Sequence, residues 1–143
     1  MPITFTSAPS KKFPSKNLTK SCVKKTLEKF GRISGEINYI FVSDEELLEM
    51  NKKYLNHDYY TDIITFDNSE NAELLDGDIF ISTDRIEENS KIYGNGILEE
   101  YLRILGHGVL HLCGLKDKSP KDIIKMREAE DQFIALYFEL KNL

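Results

Sequence analysis

His107 and His111 stand four residues apart in the run GHGVLHLCGLKD, which holds two of the three histidines of the chain. On an α-helix, residues at this spacing lie about 40° apart around the axis and ~6 Å apart along it, so both imidazoles fall on one stripe. Two nitrogens placed this way suit a single metal ion. Gly114 follows shortly after His111, and glycine readily takes the left-handed conformation that ends helices. A chain turning back there brings Asp117 toward the same ion. Two imidazoles and one carboxylate leave a coordination position open, as in catalytic rather than structural zinc sites. Water at such a position is acidified toward neutrality and becomes a hydrolytic nucleophile. The same spacing also fits a packed helix whose histidines are satisfied by neighbours, and the pattern alone leaves that alternative open.

The His-Glu-x-x-His pattern of zinc proteases takes its general base from the residue after the first His. That residue here is Gly108, which disfavours a protease of this kind. Cys113 lies two residues past His111, about 200° around a helix, so it is expected to point away from a metal. Tyr59 and Tyr60 offer either aromatic faces for nucleic-acid bases or ordinary packing.

These residues need elements to hold them. ITF near the start reads as a strand, and the stretch after Pro14 as a helix with Leu18, Cys22, Val23, Thr26, Leu27 and Phe30 on one face, ended by Gly31 and Gly35. EINYIFVS, IITFD and DGDIFIS read as three further strands, with Asp76-Gly77 as a turn signal. DEELLEMNKKYL, capped by Ser43 or Asp44, and the residues from Thr83 to Ile92 read as helices. ILEEYLRILGHGVLHLCG is the longest apolar-periodic stretch. A final helix opens with Ser119 as cap and Pro120 in its first turn. The expected class is α+β, or mixed α/β, with a small mixed sheet of about four strands flanked by about five helices, in one domain over residues 1–143.

Composition adds bounds. The hydrophobic fraction of 41% and charged fraction of 30% are those of an ordinary globular chain. No segment approaches the ~20 apolar residues of a membrane span, and the N-terminus lacks a secretory pattern, so a cytosolic protein is expected. Cys22 and Cys113 are distant in sequence and form no CxxC pair, which favours reduced thiols. The net charge of −5 argues against a nucleic-acid partner, yet residues 1–35 carry eight Lys or Arg against Glu28 alone. That basic segment is expected either to border an RNA groove or to be a solvated lysine face.

The run HGVLHLCGLKDK resembles the signature of the YbeY family of rRNA maturation endoribonucleases, matched in register by His107, Gly108, Leu110, His111, Leu112 and Gly114. MNKKYLNHDYYTDIITFD and DGDIFIS are similar to the family's two upstream motifs in order and spacing. The resemblance implies a metal-dependent, single-strand-specific endoribonuclease acting at the 3′ end of small-subunit rRNA and in ribosome quality control. It implies RNA as substrate and ribosomal or small-subunit proteins as possible partners. One Zn2+ is expected on His107, His111 and Asp117. Three departures stand out. The family's third His is Asp117 here, a harder, anionic ligand that makes Mn or Fe more plausible occupants. The family's Arg after the Tyr of the middle motif is Leu55, leaving His57 or Lys53 as nearby substitutes. A family His one turn before the first ligand is Arg103, expected to clamp a phosphate or to pair with Glu99 or Glu100. Asp62 matches a motif position and is expected to support the site, as, less strongly, is Asp78. Rival readings are a ribosome-associated binding factor with a structural metal, and a metallohydrolase of another substrate class.

Overall fold

In the computed structural model, which describes residues 2–143, four strands form one sheet. β1 (Ile3–Thr6) and β2 (Ile33–Val42) are parallel and joined by α1 (Lys16–Lys29). β4 (Leu74–Ser82) pairs parallel to β2, and β3 (Ile63–Asp67) pairs antiparallel to β4 at the edge, giving the order β1-β2-β4-β3. α2 (Asp44–Leu55) connects β2 to β3, and α3 (Thr83–Tyr93), α4 (Ile97–Leu112) and α5 (Pro120–Lys141) follow the sheet. The α+β class with a mixed four-stranded sheet and five helices is as expected.

Alternation along the strands divides the sheet. Ile37, Tyr39, Phe41, Ile79 and Ile81 are buried on the face that packs against α4, where the Tyr39 hydroxyl donates to the Leu105 carbonyl at 2.7 Å. The opposite face carries Phe66 and Phe80, and Tyr54 of α2 meets the Phe66 ring edge-on at 5.8 Å. α4 is buried nearly all round, because the sheet covers one side and α5 another. Two glycines let it lie that close. A Cβ on Gly108 would come within 2.9 Å of Ile79, and one on Gly106 within 2.8 Å of the Phe133 ring of α5.

Two turn readings need correction. Asp76-Gly77 lies inside β4, where a Cβ on Gly77 would meet Leu112 at 2.7 Å; the glycine makes room for α4. Gly35 likewise lies inside β2, beside a register shift between Ser34 and Ile37, so Gly31 alone turns the chain after α1, at φ 68°. Tertiary packing outweighed the local turn preference at both positions. Among the described residues, no helix is long and apolar enough to cross a membrane.

Candidate metal centre and adjoining cleft

α4 is a strongly apolar helix that ends with Cys113 as its C-cap, one residue before Gly114. Gly114 takes φ 105°, its N–H donates to the His111 carbonyl, and the Leu115 N–H donates to the Leu110 carbonyl. This pair of bonds is a Schellman ending, which reverses the chain. The reversal places Asp117 Oδ2 3.4 Å from His107 Nε2. The His107 and His111 rings lie nearly parallel, 4° between planes, with centroids 6.3 Å apart. His107, His111 and Asp117 line one cavity of about 400 Å³ together with Leu55, Thr61 and Asp62.

A residue that sequence reading missed completes the geometry. Glu130 of α5 is buried, and its Oε2 lies 2.7 Å from His107 Nδ1. A carboxylate only accepts, so this bond puts a ring proton on Nδ1, and in the neutral ring it leaves the Nε2 lone pair on the side of Asp117. Carboxylate-backed histidine is the usual support of a metal ligand. One sequence signal could have exposed Glu130: it falls on the buried α5 stripe of Met126, Phe133 and Tyr137, where an unpartnered charge would be costly. Burial by itself pulls the His107 pKa down, but the Glu130 bond and the charges of Glu130, Asp62 and Asp117 outweigh it and raise the pKa above the ordinary histidine value.

Among the described residues, no three His, Cys, Asp or Glu side chains are drawn together tightly enough to enclose an ion as they stand. The donor set nevertheless fits one. The nitrogen and oxygen donors of His107 and Asp117 already face each other, Glu130 fixes the ring tautomer that coordination needs, and exposed His111 opens onto the same cavity.

Arg103 sits one turn before His107, as expected, but its guanidinium is already engaged. It donates to Glu130 Oε1 at 3.0 Å and to Asp131 Oδ1 at 2.8 Å, with Glu99 further off at 3.9 Å. The expected pairing within α4 is therefore the weakest of three, and contacts to α5 dominate because α5 packs beside this face. Asp62, just before β3, lines the His107 cavity, and burial pushes its carboxyl above the usual carboxylate range against the pull of His107. Asp78 lies on the opposite face of the sheet, where Asn38 and Asn68 donate to it at 2.9 and 3.1 Å, so it plays no part in this centre. Cys113 packs against the core and borders a separate hollow near Lys116.

Leu55 does line the cavity, so the position is right and the charge is absent. His57 pairs with the Tyr59 hydroxyl at 3.0 Å, and Lys53 lies over the Tyr54 ring; neither borders the cavity. Tyr60 donates to Glu45 at 2.6 Å. No residue of basic α1 lines any of the three hollows that contain His107.

The family model described as Endoribonuclease YbeY matches residues 5–137 of the chain. Endoribonuclease YbeY of Cytophaga hutchinsonii is 54% identical over 101 residues, covering 71% of each chain. That of Bacteroides thetaiotaomicron is 46% identical over 121 residues, covering 85% of this chain and 88% of its own. A solution structure of TM1509 from Thermotoga maritima superposes with a TM-score of 0.67 at 23% identity, covering 99% of this chain and 92% of that one, which shows a shared fold.

Proposed function

Because the chain belongs to the YbeY family, we propose that it is a metal-dependent endoribonuclease that cleaves single-stranded RNA during maturation of small-subunit rRNA. The observation that supports this most directly is the His107–Asp117 approach at 3.4 Å, backed by Glu130. His107, His111 and Asp117 hold the ion, with zinc the first choice and Mn or Fe alternatives given the carboxylate. When bound, the ion supplies Lewis acidity toward the phosphodiester and acidifies water.

The remaining work falls to side chains. Glu130 keeps the proton of His107 on Nδ1, so the ring presents the same nitrogen throughout the cycle. Arg103 acts through Glu130: it holds the carboxylate against His107 and balances its buried charge, making it a positioning residue rather than a phosphate ligand. Asp62, at the wall of the cavity, accepts a hydrogen bond from the attacking water and orients it toward phosphorus. The reaction belongs in the cytoplasm, where ribosomal precursors and small-subunit proteins are the natural partners.

The test is cleavage of a single-stranded rRNA fragment by purified protein and by its His111→Ala variant, with mapping of the product ends. Loss of cleavage in the variant is the expected outcome. A 2′,3′-cyclic phosphate end would show attack by the RNA's own hydroxyl and exclude the water route. A second reading, an assembly factor whose metal is structural, is favoured by one observation: none of the residues lining the His107–His111–Asp117 cavity is a Lys or Arg. Equal residual cleavage by wild type and variant would support that reading instead.

A further inference from the structure

A second and larger cleft, about 540 Å³, opens on the other side of His107, between α3, α4 and α5. It shares Asp62 and His107 with the metal cavity, so the two hollows adjoin at the candidate centre. Its size lies within the ~300–1,000 Å³ of small-molecule sites. We propose that this cleft is a nucleotide subsite that takes the RNA residue next to the cleaved bond, with Tyr93 stacking on its base, Asn89 reading the base edge and Arg127 holding its phosphate. The proposal rests on the endoribonuclease reading and specifies how the substrate is held.

Three observations carry it. First, Ile86, Asn89 and Tyr93 recur at helical spacing along α3 and all line the cleft. Ile86 is buried, but Tyr93 is 68% exposed at the helix end, which leaves a large aromatic side chain open to solvent. Second, the Asn89 amide makes no side-chain hydrogen bond to any described residue, whereas Asn95 nearby is tied to Glu100 at 2.8 Å. An unused amide offers both a donor and an acceptor, the combination that matches a base edge. Third, Arg127 borders both this cleft and the opening lined by His107 and Asp117. It forms no ion pair with the described residues, while Arg103 is committed to Glu130 and Asp131. No Lys or Arg among the described residues lines the metal cavity, so the Arg127 guanidinium, which reaches His107 from the two adjoining hollows, is the group available for an anionic backbone.

The test uses two probes, adenosine 5′-monophosphate and ribose 5-phosphate, followed by amide chemical shifts of the protein as purified. Adenosine 5′-monophosphate is expected to perturb Asn89, Tyr93 and Asn95. Arg127→Ala should weaken both probes, and Tyr93→Ala should weaken only the nucleotide, by about 10-fold, with Tyr93→Phe restoring it. Shifts confined to the neighbourhood of His111 and Asp117, or equal binding of the two probes unaffected by Tyr93→Ala, would overturn the subsite. RNA cleavage by the wild type, measured in parallel, separates the two claims. Cleavage without nucleotide binding in the cleft rejects the subsite alone. Binding in the cleft without cleavage upholds the subsite as a nucleotide site and rejects the nuclease reading.

Discussion

Glu130 Oε2 and His107 Nδ1 lie 2.7 Å apart, a bond between two helices whose partners are separated by 23 positions in the chain. The bond decides which imidazole nitrogen faces Asp117, and Arg103 locks it from the other side. Glu130→Gln keeps the shape of this contact but removes its charge. Metal affinity should fall ~10- to 100-fold, the usual cost of losing such support. Competition against a fluorescent chelator measures it; unchanged affinity would assign Glu130 a purely structural role.

Removing the metal with a chelator should abolish RNA cleavage and leave the far-ultraviolet circular dichroism intact, since an apolar cluster joins the sheet, α4 and α5 independently of the candidate ligands. Thermal stability should drop, by about 3 to 4 kcal/mol if the ion had been present at 100 to 1,000 times its dissociation constant. Collapse of secondary structure on metal removal would instead make the ion a folding element.

Gly108→Ala tests the packing that excludes a protease-like base at this position. The added methyl would come within 2.9 Å of Ile79 and 3.3 Å of Ile63. Denaturant unfolding should show a loss of about 1 to 3 kcal/mol, the range for overpacking a tight core. A neutral result would mean that α4 shifts freely on the sheet.

Burial raises the pKa of both thiols, Cys22 and Cys113, to about 11 from an ordinary 9.0. The folded state therefore retains protons that the unfolded chain gives up. The stability linked to these thiols is fully present below about pH 9 and is lost as pH rises toward 11. The Cys22→Ala, Cys113→Ala double variant should show a flatter decline over that window in denaturant titrations. In thiol labelling at pH 8, Cys22, with 0% exposure, should react only on unfolding, and Cys113 first.

Much of this architecture was legible before any coordinates. The four strands and five helices follow from hydrophobic period and caps, and Ser43, Ser119 and Pro120 sit where local chemistry predicts them. The His107–His111 stripe and the reversal at Gly114 are likewise local, set by helix geometry and glycine's freedom at positive φ. Asp76-Gly77 misled because a turn signal says nothing of a neighbour, and its glycine answers to Leu112, which is distant in sequence.

Residue types and their order thus determined which donors this protein owns and that two of them share a helix face. Tertiary structure decided what each donor does. Arg103 became a partner of Glu130, and Arg127, which has no ion pair among the described residues, came to share a cleft with His107, because α5 lies close along α4, at Gly106 against Phe133. Side-chain spacing within a helix is fixed by its pitch, whereas the pairing of charges across helices depends on how two surfaces pack, and no short stretch of chain encodes that.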